Sequence, residues 1–341
     1  MILHRIDASV SGEGRETEAV DAIEEALTGK LYWVVSGQTT AKPKNDYFEK
    51  AGQIVWRHNE DRFRHAVTEN GLLAAVSDGA GSSGMYCGAW AEALVGRLPE
   101  TPIASLTSLN QWIDGFWQEF STEYKQLAAG DPGKNSKFVR EGSFATLMAC
   151  WLEERGNEGL TLHWCGYGDS PLCVFGRNGE RVDLIASHPA SLRALEHDPH
   201  LLNWKDLPEE KSFRSGSVDL DGPATVVLAS DGVGQFVLLR YLAEKLARQS
   251  AEAGVAHEGP TREFINEFVH LIRSGNSKLA DLARNHMDNV GPGFAENLAN
   301  LRDSLRSEAE FLDNIRDNHA AGLLPNDDST LVMIDIHRSP R

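Results

Sequence analysis

The chain has 341 residues, 41% hydrophobic and 24% charged, which is enough apolar material for a sizeable buried core. With 50 acidic against 33 basic residues its formal net charge is −17, which argues against nucleic acid or an anionic membrane as the main partner, since both call for a basic surface. No apolar run approaches the roughly 18 residues of a membrane span, and the N-terminal stretch with Asp7, Glu13 and Glu16 has no signal-peptide pattern, so a soluble cytoplasmic protein is expected.

Residues 1–30 read as an appendage, with one acidic amphipathic helix over Thr17–Leu27. Leu31–Ser36 has strand composition, Thr39–Asn45 (TTAKPKN) is a polar loop, and Gln53–Trp56 suits a second strand. Arg57 to Phe63 form a dense polar cluster between apolar segments. Leu72–Val76 run apolar without alternation, the pattern of a strand buried on both faces. They end in Ser77-Asp78-Gly79 and a small-residue turn reaching Gly84. A carboxylate at the mouth of a buried strand, beside glycines that let other groups come close, suits a metal site.

Helical spacing begins at Tyr86 and continues through Trp90, Ala93, Leu94 and Leu98. Leu106–Ala129 also reads as helix, followed by a loop over Asp131–Ser136. Gly142-Ser143 opens an apolar run to Leu152, joined through Glu153–Gly159 to a strand at Leu160–Cys165. The turn Gly166–Ser170 is expected to close a hairpin between that strand and Pro171–Phe175. His188–Lys211, with three prolines, is irregular. Ala224–Ala229 repeats the earlier design, a buried strand ending in Ser230-Asp231-Gly232 before a helix over Phe236–Ala247. The last strand, Leu331–Ile336, follows Asn326-Asp327-Asp328.

The intervening segment 237–322 is mostly helical. One stripe is Phe264, Ile265, Phe268, Val269 and Ile272; another is Leu298, Leu301, Leu305, Leu312 and Ile315, close to heptad spacing but with Glu308 in the seam. Packing against the body of the same domain is expected over a coiled-coil seam. Cys87, Cys150, Cys165 and Cys173 lie scattered in apolar contexts without a C-x-x-C pair, as buried free thiols would.

Asp78 and Asp231 thus end two buried strands in the same Ser-Asp-Gly, while Glu60-Asp61 and Asp327-Asp328 sit at other strand ends. Carboxylates gathered at one edge of a β structure repel unless cations neutralise them. Oxygen-only ligands favour Mg²⁺ or Mn²⁺ over zinc. Two such ions about 3.5–4 Å apart activate a bridging water and clamp a phosphoryl group. A G-x-S-x-G elbow and a P-loop are both missing, and the histidines lack ligand spacing.

Six motifs in order make the sequence resemble the metal-dependent type 2C (PPM) serine/threonine protein phosphatases. They are NED at Asn59–Asp61, SDGAG at Ser77–Gly81, GSFAT at Gly142–Thr146, GDS at Gly168–Ser170, SDG at Ser230–Gly232 and DDST at Asp327–Thr330. The resemblance implies an α+β fold, a central antiparallel β-sandwich flanked by helices on both sides, with a helical insertion before the last strand. It implies one catalytic domain over 31–341, because ligands from Glu60 to Asp327 must meet. By the same resemblance Asp78 bridges two Mg²⁺ or Mn²⁺ ions and Gly79 offers its carbonyl. Glu60 serves the second ion, Asp231 and Asp327 serve the first, and Asp61 and Asp328 support them. The implied reaction is hydrolysis of phosphoserine or phosphothreonine in a phosphoprotein by a metal-bridging water, downstream of a Ser/Thr kinase.

Three positions depart from the family pattern. Trp56 stands where a phosphate-binding Arg is usual, leaving Arg57 one place later as the candidate. Ala80 occupies the place of a candidate acid, usually His. Gln235 replaces an Asp that partners Asp169 at a third metal, so that metal is expected to be weak or absent. These departures leave two alternatives beside the leading expectation. One is a phosphatase of the same fold acting on a small phosphate ester. The other is a pseudophosphatase serving as a regulatory binding module.

Overall fold

A computed structural model describes residues 30–339, apart from 45–46, 51–52, 57–58, 82, 157–158, 180, 197–198, 252–259 and 292. The helix expected at Thr17–Leu27 and the candidate Arg57 lie outside the described residues. The strands are β1 (Leu31–Thr40), β2 (Tyr47–Lys50), β3 (Gln53–Trp56), β4 (Arg62–Thr68), β5 (Gly71–Ser77), β6 (Phe144–Ala145), β7 (Leu147–Arg155), β8 (Gly159–Tyr167), β9 (Leu172–Asn178), β10 (Arg181–His188), β11 (Leu202–Asn203), β12 (Phe213–Leu220), β13 (Ala224–Ala229) and β14 (Ser329–Arg338). Two five-stranded antiparallel sheets dominate, ordered β1-β14-β13-β9-β10 and β12-β8-β7-β5-β4.

Side-chain alternation explains the unbroken apolar runs. In β5, Leu72, Ala74 and Val76 enter the layer between the sheets, while Leu73 and Ala75 face the other way. In β7, Met148, Cys150 and Leu152 point inward and Leu147, Ala149 and Trp151 outward. In β14, Val332, Ile334 and Ile336 point inward and Leu331 and Met333 outward. A strand with apolar cover on both faces has no polar face to show, so period-2 patterning disappears.

Helices supply the outer cover. Against the β5 sheet pack α1 (Cys87–Gly96), α2 (Leu106–Asp114), α3 (Trp117–Ala128) and α4 (Pro132–Glu141). Against the β14 sheet pack α5 (Asp231–Ala251), α6 (Pro260–Ser274), α7 (Lys278–Asp288), α8 (Phe294–Ser304) and α9 (Glu308–Ala320). The layers therefore run helices, sheet, sheet, helices, the expected sandwich flanked on both sides. Among the described residues no helix is long and apolar enough to cross a membrane. All four cysteines are buried free thiols, as expected.

Four local expectations need correction. Asp131–Ser136 is no loop: Asp131 accepts from the N–H groups of Gly133 and Lys134 at 2.9 and 3.1 Å and caps α4, with Pro132 in its first turn. Leu106–Ala129 is two helices broken at Gly115, not one. Pro171–Phe175 forms no hairpin with β8; the chain crosses after Tyr167 and β9 pairs with β10 and β13 in the other sheet. The near-heptad stripe is also interrupted, because α8 ends at Ser304 and Ser307 caps a new helix, and Phe311 rather than Leu312 enters the core.

One buried ion pair ties the second helical layer to its sheet. Asp335 on β14 is 3% exposed and accepts the Thr225 hydroxyl at 2.8 Å. The Arg302 guanidinium of α8 lies 3.1 Å from its second oxygen and Arg177 3.7 Å from its first. Asp335→Ala should cost about 2–4 kcal/mol, measured by urea unfolding, because it orphans two arginines and a buried hydroxyl. Activity per folded molecule should not change, since Asp335 lies along β14, away from the strand ends that carry Asp78 and Asp231.

Candidate metal centre

Strand register brings the motif segments to one end of the sandwich. In one sheet Arg62 faces Ser77, Val76 faces Met148, and Leu147 faces Tyr167, so the start of β4, the end of β5, the start of β7 and the end of β8 coincide. In the other, Ala229 faces Leu331 and Ser329 faces Thr40. Asn59–Asp61, Asp78, Asp169, Asp231 and Asp327-Asp328 all occupy these ends. Hydrogen bonds then join the sheets across the gap. The Glu60 N–H donates to Asp328 Oδ2 at 2.9 Å, and Asn59 Nδ2 donates to Thr39 Oγ1 at 2.7 Å.

Hydroxyl groups from the motifs fix the main chain around the carboxylates. Thr146 Oγ1 accepts from the Asp78 N–H at 2.9 Å, the Thr146 N–H donates back to the Asp78 carbonyl at 2.9 Å, and Thr146 Oγ1 meets Ser170 Oγ at 2.6 Å. Ser230 Oγ accepts from the Thr330 N–H at 3.0 Å. Arg62 folds its guanidinium onto the carbonyls of Asn59 and Asp61, at 2.9 and 2.7 Å. The Gly79 carbonyl accepts the Gly81 N–H at 3.0 Å. Gly81 has a second role: a Cβ there would stand 1.6 Å from Glu60 Oε2, so only glycine leaves room for that carboxylate. Sequence reasoning anticipated glycines that permit close approach, but gave no role to Thr146, Ser170, Arg62 or Lys42.

The electrostatics are dominated by like charge in a buried place. Asp61 is 1% exposed and neither of its carboxylate oxygens receives a hydrogen bond, although Asp78 and Ser230 stand beside it. Burial first, then the charge of Asp328, pushes it up to about 7. Burial, followed by the charges of Asp61, Asp231 and Asp169, holds Asp78 well above the usual carboxylate range. Burial and Asp327 push Asp231 up to about 6. Glu60 and Asp328 are raised as well, each chiefly by burial. Asp78 and Asp231 as whole residues are partly exposed, although their carboxyl groups lie deep in the cluster. Among the described residues the Lys42 ammonium pairs directly with Asp327, and Arg62 also acts on Glu60.

This donor set fits hard divalent cations. It is all oxygen, it contains an orphaned buried carboxylate, and its charges oppose one another. Among the described residues no three acidic, histidine or cysteine groups stand as a ready-made coordination set. Glu60, Asp61, Asp78, Asp169, Asp231, Asp327 and Asp328 are brought to the same end, and each expected site residue among the described ones is there. Thiol chemistry does not fit, because burial pushes Cys87 up to about 11 and Cys150 to about 12.

No model of a known family matches the chain, and no curated protein matches it. Solved structures that resemble it include the S. agalactiae serine/threonine phosphatase, 13% identical, covering 89% of this chain and 99% of that one at a TM-score of 0.41. The catalytic domain of the serine/threonine phosphatase PstP, in complex with 2 manganese ions, is 14% identical and covers 90% and 100% at 0.41. The PPM Ser-Thr phosphatase MsPP from Mycobacterium smegmatis is 14% identical and covers 89% and 97% at 0.38. Likenesses this distant carry no weight for the chemistry of the site, which rests on its geometry and its motifs.

The charge cluster makes metal-free stability depend on pH. A carboxyl whose pKa rises on folding stabilises the fold below its unfolded value, and that contribution is lost as pH rises through the folded value. Buried His188 and His286, both lowered to about 4, act oppositely but only below about 6.5. Between about pH 6.5 and 8 the carboxyls therefore act alone, and Asp61 contributes a loss of about 1 kcal/mol. Denaturant unfolding of the metal-free protein should show that fall, Asp61→Asn should flatten it, and Mn²⁺ should reverse it. In the same assay Gly81→Ala should fold but bind Mn²⁺ about 10–100-fold more weakly, because it dislodges Glu60.

Proposed function

We propose that the chain is a metal-dependent phosphatase that hydrolyses phosphoserine and phosphothreonine in proteins. The observation that carries this reading is the meeting of Asp61, Asp78 and Asp231, from the ends of both sheets, as mutually repelling neighbours with Asp61 orphaned and buried. The motif order NED, SDGAG, GSFAT, GDS, SDG and DDST supports it. Asp78 stands central among the carboxylates and is assigned to touch two Mg²⁺ or Mn²⁺ ions. The Gly79 carbonyl and Glu60 are assigned to one side, Asp231 and Asp327 to the other, and Asp61 and Asp328 behind them. When bound, such a pair of cations supplies the Lewis acidity that activates water and stabilises charge on the phosphoryl oxygens.

The chain's own residues prepare that event. Thr146 and Ser170 hold the Asp78 backbone, and Arg62 holds the Asn59–Asp61 turn. Asp78 and Asp231 are only partly buried, which keeps them within reach of a phosphate ester from solution. With a net charge of −17 the chain repels phosphate in general, so productive binding depends on the cations and on a positive side chain such as Arg57. Asp169 acts on Asp78, whereas the half-buried Gln235 on α5 offers no charge, and a third ion is assigned weak binding or none. The substrate is a product of a Ser/Thr kinase in the cytoplasm, and neither nucleic acid nor membrane is assigned as partner. Gln235 favours one competing reading, a catalytically inert module that binds phosphoproteins.

A single assay separates these readings: turnover of a phosphothreonine peptide and of p-nitrophenyl phosphate, with Mn²⁺ and with EDTA. The expected result is peptide hydrolysis that EDTA abolishes and Mn²⁺ or Mg²⁺ restores. Full activity in chelator would sink the metal mechanism, hydrolysis of the small ester alone would favour a small-molecule substrate, and no turnover would favour the inert module. Asp78→Asn should lose at least about 10²-fold in kcat, and Asp61→Asn about 10–100-fold. Equal, mild losses would show that the assignment of these two residues is wrong.

A further inference from the structure

Lys42 lies outside every motif, in the segment after β1, yet its side chain reaches into the carboxylate cluster. Its ammonium pairs with Asp327, and it also acts electrostatically on Asp328, Asp78, Glu60 and Asp231. Its backbone is fastened to the same place. The Lys42 N–H donates to Asp328 Oδ1 at 3.1 Å, the Lys44 N–H donates to Asn326 Oδ1 at 2.8 Å, and Asn326 Nδ2 returns a bond to the Lys44 carbonyl at 3.4 Å. Segment 42–44 is thus laced to segment 326–328, so the main chain of Lys42 cannot leave while the strands stand. Only the side chain, 22% exposed, is free to swing.

We propose that Lys42 is a tethered counter-ion of this site, one that holds Asp327 in the metal-free chain and competes with a divalent cation for that carboxylate. The inference rests on reading the cluster as a metal centre. A carboxylate oxygen that accepts an ammonium hydrogen bond cannot at the same time give that lone pair to a metal. An ion that takes the Oδ1 lone pair held by Lys42 must displace the ammonium, and one that binds the other oxygen meets its positive charge at close range. After displacement the backbone bonds keep the ammonium within reach, where it opposes the incoming cation's charge and returns when the ion leaves. The lysine then has two linked effects. It relieves the repulsion that would otherwise strain the metal-free fold, and it weakens the metal site by the same interaction.

The test is direct Mn²⁺ binding at neutral pH by isothermal titration calorimetry, on wild type, Lys42→Met, Lys42→Arg and Asp78→Asn, with unfolding curves of each in EDTA. Lys42→Met should bind Mn²⁺ about 3–10-fold more tightly, the scale of one partly exposed ion pair removed from competition. Metal-free Lys42→Met should be less stable than wild type, because its carboxylates have lost their counter-ion. Lys42→Arg, which keeps the charge, should stay within about twofold of wild-type affinity. A folded Lys42→Met protein with unchanged or weaker Mn²⁺ affinity overturns the proposal while leaving the metal centre intact. Wild type and all variants failing to bind Mn²⁺ would instead overturn the metal-centre reading itself, and Asp78→Asn binding like wild type would do the same.

Discussion

Negative charge concentrated at one end of the β-sandwich is the constraint on which the rest of the structure depends. The chain spends its backbone donors there with care. The two oxygens of Asp328 accept from the N–H groups of Lys42 and Glu60, Asp327 accepts from the N–H of Asp328, and Asp231 accepts from the N–H of Gly232 at 2.6 Å. Asp231 also opens α5, where the partial positive charge of a helix N-terminus favours a carboxylate. Asp61 receives no backbone donor. A group so placed lowers stability in isolation, and its retention makes physical sense where a cation completes it.

The sandwich makes this arrangement possible by clearing the strands of other work. Helical layers cover the outer face of each sheet, so β5, β7, β13 and β14 are apolar on both sides along nearly their whole length. Apart from the Asp335 ion pair, the buried polar groups of these strands gather at the strand ends, where antiparallel register aligns them. The same logic explains the small hydroxyl residues flanking the aspartates. Ser77, Thr146, Ser170, Ser230 and Thr330 are all nearly fully buried, and their hydroxyls bond to main chain or to one another beside the carboxylates.

The sequence made the carboxylates legible because each follows or precedes an apolar run, and a buried strand with an acidic end has few structural explanations. The two-sided burial of Leu72–Val76 and Ala224–Ala229 was readable for the same reason. What failed was pairing. A turn such as Gly166–Ser170 looks the same whether the chain doubles back in one sheet or crosses to the other, because β9 takes its partners from β10, which follows it, and from the distant β13. The Asp131-Pro132 start of α4 carried a readable cap signal that the polar composition after it obscured. Lys42 was not legible, since a lysine in a polar loop has no pattern that says which distant carboxylate it will meet.

The position of β14 has a consequence for how the molecule comes into being. This strand is the last of the described ones, made only after the whole helical segment, yet it lies between β1 and β13 near the centre of its sheet and carries Asp327 and Asp328 at its entrance. During synthesis β1 and β13 emerge long before the strand that joins them. Until then two apolar edges stand unpaired, and Glu60 lacks the acceptor that anchors it across the gap. Completion of the hydrophobic sandwich and assembly of the carboxylate cluster are therefore one event, deferred until β14 has been made. A nascent or truncated chain that stops at Pro325 carries five of the six motifs, but its sheet lacks β14 and its carboxylate cluster lacks Asp327 and Asp328.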